Sequence, residues 1–76
     1  MKASLMAYTK QVLEDYEPSA NKSSNIKYGN FVRTDDRYKI EGTVSTMPFT
    51  LIIEWNYIED EYFDVKTLEI NKVKLV

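Results

Sequence analysis

The longest unbroken two-residue rhythm in the chain runs from Phe49 to Tyr57, where Phe49, Leu51, Ile53, Trp55 and Tyr57 alternate with Thr50, Ile52, Glu54 and Asn56. Successive side chains of a strand point to opposite sides, so this pattern predicts a strand with one dry face and one wetter face. A second strand is predicted from about Tyr38 to Ser45, with Tyr38, Ile40, Gly42 and Val44 sharing one face and Lys39, Glu41, Thr43 and Ser45 the other. Thr46, Met47 and Pro48 stand between these strands as the expected turn. Ile26, Tyr28, Phe31 and Val32 make a less regular strand, with a bulge expected at Gly29-Asn30, followed by a turn through Thr34, Asp35, Asp36 and Arg37. The last stretch, Glu61 to Val76, is extended, but its apolar residues Tyr62, Phe63, Val65, Leu68, Ile70, Val73 and Leu75 do not keep one parity. Two forms fit that break: one long bulged strand, or two short strands meeting at a bend near Thr67.

The first residues follow a different period. Met1, Leu5, Tyr8, Val12 and Tyr16 recur at helical intervals, with Leu13 widening the stripe and Lys2, Thr9, Lys10, Glu14 and Asp15 on the remaining surface. Pro18 stops the helix near Glu17. Glu14, Asp15 and Glu17 lie at its C-terminal end, where the macrodipole favours cations, so that end calls for a basic neighbour or frays. Residues 18–25 are small and polar and read as a connecting loop. Short links between successive strands predict an antiparallel meander, and one amphipathic helix covers about one face of such a sheet. The expected fold is therefore α+β and two-layered, an N-terminal amphipathic helix on a four-stranded antiparallel sheet, with residues 1–76 forming a single domain.

Composition bounds what such a domain can do. With 76 residues, 43% hydrophobic and 29% charged, the chain has material for one core but not two. It contains no cysteine and no histidine, which removes disulfides, the commonest metal ligands and the Ser-His and Cys-His nucleophile pairs. Its only glycines, Gly29 and Gly42, are too far apart to form a phosphate-binding loop or a dinucleotide cradle. No catalytic residue, metal site or cofactor is therefore expected. Asp35 and Asp36 read as a solvated turn, and the acidic segment around Glu59 lacks the calcium-loop pattern. The polar residues Thr9, Lys10 and Gln11 interrupt the N-terminal apolar run too early for a secretory signal. No stretch approaches the roughly 20 apolar residues that span a bilayer. A cytoplasmic location, away from any membrane, is the expectation.

What remains is binding. Glu59, Asp60 and Glu61 concentrate negative charge beside Trp55, Tyr57, Tyr62 and Phe63. Acids steer an encounter with a basic surface and aromatic rings supply contact area. Met47 and Pro48, in a predicted turn with no core to fill, add an exposed apolar contact. These five residues are the expected contact with another protein, and the chain would inhibit or mimic if that partner surface normally holds nucleic acid. An alternative is single-stranded nucleic-acid binding through Lys27, Tyr28, Arg33, Arg37 and Lys39, where cations interleave with rings. The net charge of −2 opposes it, because phosphate affinity is drawn from lysine and arginine. A further alternative is a homo-oligomer in which the C-terminal segment LEINKVKLV pairs edge to edge with a second copy.

Overall fold

A computed structural model of the chain describes residues 2–56 and 62–76. Met1, Tyr57, Ile58, Glu59, Asp60 and Glu61 lie outside the described residues. Helix α1, Lys2–Tyr16, is followed by two short 3₁₀ turns, Pro18–Asn21 and Ser23–Asn25. Then come β1 Ile26–Thr34, β2 Arg37–Val44, β3 Met47–Asn56, β4 Tyr62–Ile70 and β5 Val73–Lys74. The strands lie in the order β1-β2-β3-β4-β5, every neighbouring pair antiparallel. The α+β class and the meander are as expected, but the sheet has five strands and not four.

The long bulged strand describes β4, which runs through Thr67, whereas the second strand of the C-terminal segment follows a reversal beyond Ile70 and not a bend near Thr67. Ile52 pairs with Thr67 and Ile53 with Val65, so Lys66 is an extra residue bulged out of β4. The bulge puts Phe63 and Val65 on the same face as Leu68 and Ile70, which repairs the broken parity. The chain then reverses at Asn71-Lys72, both with positive φ (53° and 67°), as in a type I′ hairpin turn. Leu75 N–H donates to the Leu68 carbonyl at 2.8 Å, so the tail lies back along β4.

One face of the sheet forms the core with α1. Tyr38, Ile40, Val44, Phe49, Leu51, Ile53, Leu68 and Ile70 are buried there, with Leu5, Val12 and Leu13 supplied by the helix. Phe31, Trp55 and Phe63 pack against this cluster as partly buried residues. The helical stripe is rotated from its expected line. Thr9 is fully buried, its hydroxyl donating to the Leu5 carbonyl at 2.8 Å, and Tyr16 is 48% exposed. That internal hydrogen bond lets a hydroxyl occupy a core position.

The predicted bulge in β1 is present: Tyr28 pairs with Gly42 and Asn30 with Glu41, leaving Gly29 unmatched. Gly42 is required here for space. A Cβ at this position would overlap the Lys27 carbonyl oxygen across the strand and press on the Phe49 ring. Tyr28 and Phe49 meet edge to face on either side of it, with centroids 6.4 Å apart.

The β2–β3 turn is at Ser45-Thr46, so Met47 and Pro48 are strand residues paired with Val44 and Thr43. Ser45 and Thr46 hold positive φ (48° and 74°), unusual for residues other than Gly, Asn or Asp. Tertiary hydrogen bonds hold the strained turn. Ser45 N–H donates to the Asn25 carbonyl at 2.8 Å, and Ser45 Oγ donates to Ser19 Oγ at 2.6 Å. Ser19 Oγ in turn donates to Glu17 Oε2 at 2.9 Å. The same Glu17 oxygen accepts from Ser19 N–H at 3.4 Å, which caps the first 3₁₀ turn and gives one of the acids at the helix end donor partners of its own. Glu14 is offset by Lys10 one turn earlier, at 3.5 Å.

Candidate functional site: the uncovered face of the sheet

With α1 on one face, no element among the described residues covers the opposite face. Alternation and pairing place Lys27, Asn30, Val32 and Thr34 of β1 on it, then Arg37, Lys39, Glu41 and Thr43 of β2. β3 adds Pro48, Thr50, Ile52 and Glu54, and β4 adds Asp64, Thr67 and Glu69. No described residue of this face is buried. A monomeric antiparallel sheet can carry such a face in water, but here it is not uniformly polar. Exposed Val32 and half-buried Ile52 flank Lys39 across the strands, with Pro48 nearer the β2–β3 turn.

Charge on this face is sorted by strand. On β1 and β2, Lys27, Arg37 and Lys39 outnumber Glu41. On β3 to β5, Glu54, Asp64 and Glu69 outnumber Lys66 and Lys74. Glu54 and Asp64 are direct cross-strand neighbours, an unfavourable like-charge pair in isolation. Two cations relieve it. Arg37 Nε lies 3.4 Å from Glu54 Oε2, and the bulged Lys66 Nζ lies 3.0 Å from Asp64 Oδ2 and 3.9 Å from Glu54 Oε1. The hydrogen bond to Asp64, and then the Asp64 and Glu54 charges, hold the Lys66 ammonium above its ordinary pKa of 10.5. Among the described residues, Lys27 and Lys39 make no ion pair.

The sheet separates residues that were grouped by sequence. Met47 and Pro48 begin β3, while Glu59, Asp60 and Glu61 fall between the end of β3 and the start of β4, outside the described residues. Eight residues of β3 follow Pro48 before the strand ends at Asn56, a rise of roughly 26 Å at about 3.3 Å per residue. Met47 is also half-buried and packed against the core, and only Pro48 presents itself on the uncovered face. The five residues of the nucleic-acid alternative are likewise divided. Lys27, Arg37 and Lys39 share the uncovered face, but plain alternation sets Tyr28 opposite to Lys27, and the β1 bulge turns Arg33 to the helix side as well. Tyr28 is 42% exposed there, burial holding its phenol pKa above 10.0. Arg33 lies over the Tyr38 and Trp55 rings, 5.8 and 5.9 Å from their centroids, at the rim of the core.

The alternation of β3 already sets Ile52 and Glu54 together on its wetter face in the sequence. Val32 joins them only through the β1 bulge and its pairing with Lys39, neither of which fixes a face from spacing alone. At the foot of the sheet, a shallow depression of about 230 Å³ is lined by Ser24, Asn25, Lys27, Thr43, Ser45 and Thr46. It holds hydroxyls, an amide and one cation, but no carboxylate to act as a base toward them. Among the described residues, no cluster of carboxylates is arranged to hold a metal ion, and no helix is long and apolar enough to cross a membrane. No protein-family model matches the chain, and no characterised protein or solved structure is significantly similar to it.

Proposed function

We propose that the chain is a small non-catalytic binding module that docks another protein on the uncovered face of its sheet, with acidic residues steering the approach. One observation carries this reading. The helix covers one face and buries its centre, while the other combines exposed apolar side chains with a surplus of cations on β1 and β2 and of acids on β3 and β4. The acidic half, formed by Glu54, Asp64 and Glu69, is continued in sequence by Glu59, Asp60 and Glu61. Such a half fits a basic partner surface, with Val32, Ile52 and Pro48 supplying dry contact. The lack of histidine and cysteine, together with the absence of a nucleophile and base converging in the depression, supports a binding role over catalysis.

Capture of partners from the source cell by the tagged chain, compared with the variant Glu59→Gln/Asp60→Asn/Glu61→Gln, tests the reading. The expected result is a discrete protein whose association with the variant is slower and less salt-dependent. Unchanged affinity and salt response would exclude the acidic steering. A parallel mobility shift with single-stranded DNA and RNA at low salt addresses the alternative. Retardation that disappears in Lys27→Ala/Lys39→Ala would move the function to nucleic-acid binding, through the three cations that do share a face.

A further inference from the structure

The acidic half of the uncovered face asks for a basic surface, and the chain carries one beside it. We infer that the uncovered face is the contact between two copies of this chain, related by a two-fold axis parallel to the strands and lying between β2 and β3. This inference rests on the reading of that face as a docking surface and names its occupant. Rotation about such an axis stacks the sheets face to face in aligned fashion and keeps strand ends together. It sets β1 and β2 of one copy over β4 and β3 of the other.

Four features support a second copy as the occupant. The cations of β1 and β2 then oppose the acids of β3 and β4 twice over, as an isologous contact requires. Lys39, which makes no ion pair among the described residues of its own chain, comes against Ile52 and next to Glu54 of the second copy. Lys27, also without an ion pair among the described residues, comes near Glu69 of the second copy, whose cross-strand neighbour Lys74 makes no ion pair with it. Arg37 and Glu54, now bonded within the chain at 3.4 Å, are placed to bond between chains as well. Because all of these residues stay outside the core, pairing requires no change in the fold.

The area sets the strength. With strands about 4.8 Å apart and same-face residues about 6.8 Å apart, the residues that β1 to β4 place on this face, three from β4 and four from each of the others, cover about 500 Å² per copy. The total of about 1,000 Å² lies at the lower edge of specific interfaces. The dimer is therefore weak and reversible, with a dissociation constant on the order of 10–100 μM at low salt, and it loosens as salt screens the opposed charges.

Sedimentation velocity of the full chain from about 5 to 500 μM, a range chosen to bracket that constant, in 20 mM and 500 mM salt, tests this. The expected result is a mass rising from the 8.9 kDa of one chain toward twice that value at low salt, and falling back at high salt. Lys39→Glu and Glu54→Lys should each weaken self-association at least about tenfold, because each sets like charges together across the axis. An equimolar mixture of the two variants should recover the dimer, since position 39 of each variant then meets an opposite charge at position 54 of the other. Should Glu54→Lys disturb the fold by circular dichroism, Lys27→Glu with Glu69→Lys provides a second pair with the same logic. A chain that stays monomeric throughout at 20 mM salt, or two variants that dimerise as the wild type does, would overturn the inference. A monomer that still captures a different protein through Glu59–Glu61 would leave the proposed function standing and remove only the second copy as occupant.

Discussion

Leu51 and Ile52 are adjacent, equally apolar and in the same strand, yet one is fully buried and the other stands half-exposed on the opposite face. The helix-covered face gathers nearly every large apolar residue of β2 and β3, whereas the open face mixes Thr, Lys, Glu and a few aliphatic groups. The first face therefore carries stability and the second is free to carry recognition. A residue's place in the two-residue rhythm, more than its own hydrophobicity, decides which role it has.

Substitutions that break this contrast should rank accordingly. The largest effect is expected from Gly42→Ala, where the added methyl group meets the Lys27 carbonyl oxygen and the Phe49 ring. Backbone cannot yield as a flexible side chain does, so outright unfolding or a loss of at least about 5 kcal/mol is expected in urea denaturation. Leu51→Ala removes a fully buried side chain and should cost about 2–5 kcal/mol. Ile52→Ala, one residue away, should cost under about 1.5 kcal/mol because its side chain is already partly hydrated. Equal losses at positions 51 and 52 would erase the distinction between the faces.

A smaller effect is expected with pH. Burial holds Tyr8 above its ordinary pKa of 10.0, assisted by the charges of Asp64 and Asp15, and Tyr28 is raised by burial as well. Lys66 is raised above 10.5 by its hydrogen bond to Asp64 and by neighbouring acids. For each group the folded state holds its proton more tightly than the unfolded chain. The associated stabilisation is complete below the unfolded pKa and is lost as pH rises through the folded value. Stability should thus decline above about pH 10. Tyr8→Phe should flatten the decline by removing one of these groups, at the expense of the 3.3 Å hydrogen bond from the Tyr8 hydroxyl to the Phe63 carbonyl. A pH profile unaltered by that substitution would assign the alkaline loss elsewhere.

Much of the fold was legible because β2 and β3 carry an uninterrupted alternation, and Gly29-Asn30 marked its bulge openly. The fifth strand was hidden by Lys66, whose bulge scrambles the parity of β4, and by a turn at Asn71-Lys72 without glycine. The β2–β3 turn was displaced by two residues for a related reason. Ser45 and Thr46 have no intrinsic preference for positive φ, and the bonds that hold them there come from Asn25 and Ser19, distant in sequence. Thr9 was assigned to the surface because its hydroxyl is polar, but a local bond to the Leu5 carbonyl satisfies it inside. As for the site, the cations Lys27, Arg37 and Lys39 could be picked out by type, but not their company. Tyr28 alternates away from Lys27, one unmatched residue in β1 sends Arg33 to the other face, and the length of β3 separates Met47 and Pro48 from the acidic segment.

The central claim, that one face of the sheet is sealed and the other open, is tested most directly by thiol labelling, for which the natural absence of cysteine leaves a silent background. Single cysteines at positions 39, 40, 51, 52 and 53 would each be exposed to a thiol reagent under native conditions. At protein concentrations well below the dimer's dissociation constant, position 39 should react at nearly the rate of a free thiol and half-buried position 52 within about tenfold of it, while positions 40, 51 and 53 react at least about a thousandfold more slowly, limited by opening of the fold. Rapid labelling at 51 and 53, with protection at 52 and 39, would contradict the account outright.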